Sequence, residues 1–461
     1  MDRMFSLLLS FFPPVLTPHY LLALREPVLE TLGLTLGAMT IAFAVSIPLG
    51  VAAGLRLRGS TAILTGLAAF RSIPDLTLAI LCVILFGVGP GAGMVALALY
   101  YTAAVAKMFS DILRTAPRRP LDALAGTGAT RLQIALYGLI PLKQGDLLTY
   151  GAFEFESALR ASVVIGAVGG GGLGGELVGS LSAFDFRHVS TLILVLVILI
   201  AGLDRVATWL RRHPRWLLAL PPLGLVALWI YSPRLFALGH AAQVLSDMVP
   251  PQITAQGWAE LPQRVWETVW MAVTGTLGAV AAAMVFGAAS ARSIAPAWLS
   301  IPVRRLMELM RTIPEIVWGL VLIAVAGVGP TAGAWALGLH SAGSLSRLFA
   351  DTLDNAPRAP QVAIAGTGAS ALMVGAYATA PLALGPLAAH SLFRLEWNLR
   401  MATVLGLIGA GGVGQALYNA QQLFFYKQML AYVIVTWVLV ASMDFASERL
   451  RRRYKLSQVL P

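Results

Sequence analysis

The sequence predicts an all-α, polytopic membrane protein built from two copies of one domain. Three observations point there. Of the 461 residues, 57% are hydrophobic and only 12% are charged, against about 25% charged in soluble globular domains. Long apolar runs such as residues 191–201 ("TLILVLVILIA") and 430–442 account for the missing charge, and a bilayer core of roughly 30 Å asks for about 20 apolar residues per helix. Residues from 71 onward also lie over residues from 311 onward without a gap, and self-similarity of this kind decides architecture before any local reading does.

The repeat is detailed. "RSIPD" (71–75) faces "RTIPE" (311–315), and "GVGP" (87–90) faces "GVGP" (327–330). "LAGTGAT" (124–130) faces "IAGTGAS" (364–370), and "GGGGLG" (169–174) faces "GAGGVG" (409–414). Pro141 faces Pro381, Glu156 faces Glu396, Arg160 faces Arg400 and Asp204 faces Asp444. "ETLGLTL" (30–36) matches "ETVWMAV" (267–273) after a shift of three residues, and "FFPP" (11–14) has its second copy in "MVPP" (248–251). Residues 1–212 are therefore read as the first domain, 213–235 as a linking helix, and 236–461 as the second domain.

Apolar runs place spans near 32–54, 73–89, 91–109, 146–167 and 189–207, with the link at 216–232. The second half gives 266–288, 313–328, 330–349, 386–407 and 429–446, eleven in all. The net charge of +11 is gathered into "RLR" (56–58), "RRHPR" (211–215), Arg304 with Arg305, and "RLRRRYK" (449–455). Each cluster borders an apolar run, so topology explains it better than nucleic-acid binding, since basic loops stay in the cytoplasm. With all clusters inside, the N-terminus is outside, the C-terminus is cytoplasmic, and the linking helix makes the halves parallel rather than inverted. Residues 1–16 lack a small-residue cleavage site and are interrupted by "FFPP", so they do not read as a cleaved leader. The single cysteine, Cys82, lies in an apolar segment and reads as a buried small hydrophobe, so no disulfide framework is expected.

On this topology both "GTGA" stretches face the cytoplasm. Residues 121–142 ("LDALAGTGATRLQIALYGLIPL") read as a short helix, a tight glycine turn and a second helix ended by Pro141. A plain helix-turn-helix loop would also fit; its occurrence at equivalent positions in both halves weighs against that reading without identifying a partner.

Ionisable residues within spans cost about 2.5–3.5 kcal/mol each at the helix centre, which makes them functional candidates by default. The fourth helices carry Glu154, Glu156 and Arg160, then Arg394, Glu396 and Arg400. Glu156–Arg160 and Glu396–Arg400 are spaced to pair along one helix face. The alternative to a structural pair is a path wall in which Arg meets an oxyanion with its planar fork. The halves differ, Glu154 facing Arg394 and Ala158 facing Asn398, so such a site would be asymmetric. The path candidates are Glu156, Arg160, Arg394, Glu396, Asn398 and Arg400, joined by His340 and Ser344 on the preceding helix. A lone His such as His340 is more often a helix-packing hydrogen bonder than a ligand. "RSIPD" and "RTIPE" read as a cap and kink. The clusters Gly169, Gly171, Gly172, Gly174 and Gly409, Gly411, Gly412, Gly414 read as an outer gate at which the backbone folds back.

The loop spacing resembles that of ABC importer permeases, in which Glu-Ala-Ala is followed by Gly six residues after the Glu and Pro thirteen beyond that Gly. Asp122, Ala123, Gly128 and Pro141 hold those places here, and Val362, Ala363, Gly368 and Pro381 hold them in the second half. The acidic first position survives only as Asp122. "RRLMELMRTIPEIVWGLVLIAVAGVGPTAG" (304–333), "FRLEWNLRMATVLGLIGAGGVG" (393–414) and "MDFASERLRRR" (443–453) are similar to phosphonate-importer permeases. Methionine importers share the Gly-Ala-Gly-Gly-x-Gly element. The resemblance implies two parallel type I ABC importer transmembrane domains fused in one chain of a bacterial inner membrane, importing a phosphonate, phosphite or phosphate ester. Asp122, Ala123, Gly126, Thr127 and Gly128, with Ala363, Gly366, Thr367 and Gly368, would be the ATPase-coupling loops. The chain lacks G-x-x-x-x-G-K-[ST], so it is expected to be non-catalytic. ATP and magnesium would be held by two separate ATPase subunits. A periplasmic or lipid-anchored binding protein would deliver the substrate, and lipid, not nucleic acid, would surround the chain. The alternative readings are an ABC importer permease for another small solute such as methionine, or a secondary transporter made by parallel duplication.

Overall fold

The computed structural model describes residues 9–55, 57, 59–213, 220–232 and 237–454. Parts of three expected basic clusters (residues 56, 58, 214, 215 and 455) and residues 216–219 of the expected linking helix lie outside the described residues. Helices are the only regular elements described. The chain divides into two compact units, Leu9–Asp247 and a second whose described residues are 248–454.

In the first unit, α1 (Arg25–Gly54), α2 (Ser60–Arg71), α3 (Asp75–Phe86) and α4 (Pro90–Arg114) are followed by the short α5 (Arg118–Gly126). Then come α6 (Ile140–Ile165), α7 (Gly172–Ser182), α8 (Phe186–Arg212), α9 (Leu220–Tyr231) and α10 (Ala237–Met248). The second unit repeats the order: α11 (Ala255–Ser290), α12 (Ala297–Thr312), α13 (Glu315–Ala326), α14 (Pro330–Asp354), α15 (Arg358–Ala365), α16 (Ala380–Leu405), α17 (Gly412–Gln422) and α18 (Tyr426–Arg453). The Phe12–Pro13 and Val249–Pro250 peptide bonds are both cis.

Among the described residues, five helices are long and apolar enough to cross a membrane, and four bent pairs bring the number to nine at most by length and composition. The eleven expected spans also include α9, of which 12 residues are described. They include α14 as well, which is 25 residues long but carries His340, Ser341, Ser344 and Ser346. The expected spans 73–89 and 313–328 need correction. α3 and α13 have 12 residues each and rise only about 18 Å. Each is half of a broken pair, bent by 84° against the segment ending at Arg71 and by 86° against α12. Pro74 and Pro314 stand just before the second half of each pair. A proline there has no amide to give to the preceding turn, so the helix cannot run straight through.

Pro141 does not end a helix. It opens α6, joined to the short helix Arg131–Ile134 by a wide π-type turn, Ala135–Leu139. The missing amide of Pro141 releases the regular bond, and the Ile140 amide reaches back to the Ala135 carbonyl instead. Ala380 with Pro381 opens α16 in the same way.

Small residues hold each unit together. A Cβ added at Gly50 on α1 would sit 2.9 Å from the Cβ of Phe109 on α4, and one at Gly287 on α11 would sit 2.8 Å from that of Phe349 on α14. Such close approach is how helices gain packing where lipid supplies no hydrophobic drive. Against Phe349 pack Ala279, Ala283 and Leu353, all buried. Gly33 on α1 and Gly224 on α9 mark where these two helices meet: Tyr231 of α9 covers Gly33, and Thr40 of α1 meets Gly224. Gly287→Leu should lower the unfolding temperature in detergent, since overpacking costs about 1–3 kcal/mol. Gly278→Leu on the same helix, where a Cβ meets nothing within 4 Å, should leave it unchanged.

Candidate functional site

The two glycine turns fold alike. α5 ends where the Thr127 amide meets the Leu124 carbonyl at 3.2 Å and the Gly128 amide meets Ala125 at 3.0 Å; the Thr367 and Gly368 amides do the same at 3.1 and 3.0 Å. Thr127 Oγ1 and Thr367 Oγ1 each donate to the carbonyl three residues back, at 2.7 Å. Gly128 and Gly368 have φ of 84° and 83°, where a side chain is disfavoured. Asp122, Ala123, Gly126, Thr127 and Gly128 are exposed, as are Ala363, Gly366, Thr367 and Gly368. Beneath the first turn, Leu121 and Leu124 close on Gly138. Beside the turns stand Tyr137 and Tyr377, each 74% exposed, with Leu132, Val362 and Met373 also exposed. The exposed tyrosines occupy one register of both copies, and with the exposed apolar side chains near them they form a surface shaped to be covered. The chemistry around it differs: Thr130 and Gln133 form a reciprocal capping box in the first copy, where the second has only a weak bond from the Met373 amide to Ser370 Oγ at 3.4 Å.

The glycine-rich elbows are tied across the unit. The chain bends by 58° between α6 and α7 and by 56° between α16 and α17. Glu267 Oε2 accepts from the Gly412 amide at 2.8 Å, and Thr268 Oγ1 accepts from Val413 at 3.0 Å. Glu30 and Thr31 take the amides of Gly172 and Leu173 at 2.8 and 2.9 Å. The repeated Glu-Thr pair therefore caps a helix distant in sequence, filling the orphan amides of its first turn. The GVGP turns are fastened here too, the Gly89 amide to Gly169 at 2.8 Å and the Gly329 amide to Gly409 at 3.0 Å. Gly174 and Gly414 admit no side chain, since an added Cβ would fall 1.9 Å from the carbonyl oxygens of Val163 and Thr403. Gly171, Gly172, Gly411 and Gly412 take positive φ between these two contacts.

The path candidates separate into distinct sets. Arg160 pairs with Glu156 at 2.7 Å, as its spacing suggests. Glu396 and Arg400 do not pair with each other: Arg400 meets Asp444 at 2.7 Å, and Glu396 is bonded by Arg451, both on α18. Arg451 also lies 3.9 Å over the Phe393 ring, so this member of the 449–455 cluster stitches α16 to α18 rather than marking a loop. Ion pairs of this burial lock helices because losing one partner strands the other charge.

A third set is buried between α11, α13, α14 and α16. Glu315 Oε1 accepts from Trp397 Nε1 at 2.8 Å, with His340 Nε2 at 3.0 Å and Arg394 Nη2 at 3.6 Å. His340 Nδ1 meets the Ile313 carbonyl at 2.9 Å. Arg394 Nε donates to Ser341 Oγ at 2.7 Å, Ser341 to Asn398 Oδ1 at 2.8 Å, and Asn398 Nδ2 to Thr276 Oγ1 at 2.8 Å. Ser344, one turn beyond His340, joins none of these bonds. Sequence reasoning placed Arg394, His340 and Asn398 here but read Glu315 only as a cap, and it did not single out Trp397 or Thr276. The signal for Glu315 was present: an acid opening a long apolar run. In the first unit Asp75 is buried at the same register and takes the Leu76 amide at 2.9 Å, Tyr150 bonds Glu154, and Tyr101 donates to Ser157 at 3.2 Å.

Removing the cap tests the elbow. Glu267→Ala should speed hydrogen exchange at the Gly412 amide and lower stability by about 1–3 kcal/mol, the cost of an unsatisfied buried amide, whereas unchanged exchange would contradict the capping role.

The sequence model of the family described as "Binding-protein-dependent transport system inner membrane component" matches residues 46–216 and 283–456. The phosphate-import permease protein PhnE of Mycolicibacterium smegmatis is 28% identical over 492 residues, 98% of this chain and 89% of that protein. The phosphite transport system permease protein PtxC of Stutzerimonas stutzeri is 31% identical over 219 residues, 47% of this chain and 79% of its own length. A chain of the MetNI methionine ABC transporter in inward-facing conformations is 21% identical with a TM-score of 0.41, over 45% of this chain and all of its own. With the family domain matched twice, the chain belongs to the inner-membrane components of binding-protein-dependent transport: it is a multi-pass, non-catalytic ABC permease that works with ATPase subunits and a substrate-binding protein.

Proposed function

We propose that this one chain is the whole membrane unit of an ABC importer that carries a small phosphorus oxyanion (a phosphonate, phosphite or phosphate ester) into the cytoplasm. The observation that carries the reading is the pair of matched glycine turns, with φ of 84° and 83° and equally exposed tyrosines beside them. Two docks in one chain call for two ATPase subunits, which would hold ATP and magnesium themselves. Both turns then face the cytoplasm with the C-terminus, the N-terminus lies outside, and the glycine-rich elbows form the outer gate next to a periplasmic or lipid-anchored binding protein. The substrate class draws on two relatives, one named for phosphate import and one for phosphite transport, and on the likeness of residues 304–333 and 393–414 to phosphonate permeases. A relative matched over about half of this chain supports the idea that two domains elsewhere held on separate chains are joined here.

The test is uptake into vesicles holding this chain, its ATPase and its binding protein, with phosphite, methylphosphonate, phosphate and methionine as the panel. ATP-dependent uptake of a phosphorus oxyanion is expected. Gly126→Trp should abolish it while leaving the fold intact, because a Cβ there meets nothing within 4 Å and no unusual backbone angle is needed. Uptake of methionine alone would overturn the substrate class. Uptake without the ATPase would replace the importer with a secondary transporter.

A further inference from the structure

The two glycine turns share a backbone but not a surface. Around the first, Arg118, Arg119 and Asp122 on α5 and Arg131 beyond the turn are all exposed. None of the four meets a side-chain partner among the described residues. The same registers of the second copy read Arg358, Ala359, Val362 and Ala371, so one charged residue stands where the first copy has four. Apolar surface takes the place of the charge: Val362 is 68% exposed, and Met373, at the register of Gln133, is 54% exposed. Gln133 itself is tied down, its Oε1 accepting from the Thr130 amide at 2.8 Å. Basic residues collect in cytoplasmic loops for reasons of topology, but topology gives no reason to crowd them into one of two equivalent loops. Tyr137 and Tyr377 are equally exposed and form the part that the two surfaces share.

Resting on the docking reading above, we propose that the two docks hold the same ATPase subunit by different forces, the first by charge as well as contact, the second by apolar contact alone. The partner that fits both presents an apolar hollow for Tyr137 or Tyr377. Beside it lie carboxylates that only the first dock engages, through Arg118, Arg119 and Arg131. Arg offers such a carboxylate a planar fork. Each exposed pair is weak and is screened by salt, because the Debye length falls from about 10 Å at 0.1 M to about 3 Å at 1 M. Val362 and Met373 instead bury apolar area, an attraction that does not rest on charge. Raising the salt therefore loosens the first dock and spares the second, leaving one ATPase subunit on the chain. Two separate identical subunits could not be built this way, since their loops would be alike.

The experiment measures binding of the nucleotide-free ATPase subunit to the full chain in detergent, one dock at a time, at about 0.1 M and about 1 M sodium chloride. Gly366→Trp shuts the second dock and Gly126→Trp the first. Neither glycine takes a positive φ, and a Cβ at Gly366 meets only the Val362 and Ala363 carbonyl oxygens, at 3.4 and 3.5 Å. Binding to the Gly366→Trp chain should weaken about tenfold over this range, as two or three exposed ion pairs are screened. Binding to the Gly126→Trp chain should change less than about twofold, having no such pairs to lose. Arg118→Gln, Arg119→Gln and Arg131→Gln together should abolish the salt dependence of the first dock, and Val362→Asp should weaken the second alone. Light scattering on the unaltered complex should pass through a species with one ATPase subunit as salt rises, a readout that needs no variant. Equal salt dependence of the two docks, or none at either, would overturn the proposal. An unaltered chain that binds no ATPase at low salt, or one that still binds two subunits with both glycines replaced, overturns the docking reading instead.

Discussion

The two glycine-rich elbows depend on finding partners for the amides they expose. Apolar surroundings supply none, and an orphan amide there costs several kcal/mol. The solution is the cross-helix cap: the Glu-Thr pair on the first long helix of each unit takes the first amides of the helix beyond the elbow, Glu267 with Gly412 and Glu30 with Gly172. With those amides satisfied, the chain can turn by more than 50° over a stretch of glycines whose backbones come within van der Waals range. The bends at Pro74 and Pro314, the glycine elbows and the buried polar set on α13, α14 and α16 all belong to the same architecture of interrupted helices.

Duplication kept this scaffold and relaxed its charge. The elbows, the GVGP ties and the two glycine turns superpose residue for residue in bonding pattern, although the side chains around them differ. Where mechanical roles fix the backbone, both copies agree. At buried positions the copies differ, Glu154 holding the register of Arg394 and Tyr100 that of His340. A pair of separate identical subunits could not hold such an asymmetry, because each change would appear on both sides. Fusion into one chain removes that constraint.

Much of this was legible in the residues. The repeat, the glycine turns with their spacing to proline, and the elbow glycines were all visible because each depends on backbone requirements that only a few residue types meet. The short α2 was missed because its 12 residues are too few for a span, and the amphipathic α12 because its polar face dilutes the apolar signal. The broken spans were read as whole because the run of apolar residues does not reveal an 84° turn before it. Pro141 was read as a stop because a π-type turn that absorbs the missing amide leaves no mark in the sequence. Spacing put Glu396 beside Arg400, but Asp444 and Arg451, far along the chain, supply their partners. Periodicity reports neighbours on one helix and is silent about the next one. The same silence hid Glu315, which looked like a cap until His340, Trp397 and Arg394 converged on it.

The central claim is that one chain provides both membrane domains and hence both motor docks. Native mass spectrometry of the complex purified with its ATPase, in the nucleotide-free state, tests this most directly. One copy of this chain with two copies of the ATPase is the predicted composition. Two copies of this chain with two ATPase subunits would contradict it, since one dock on each chain would then be idle.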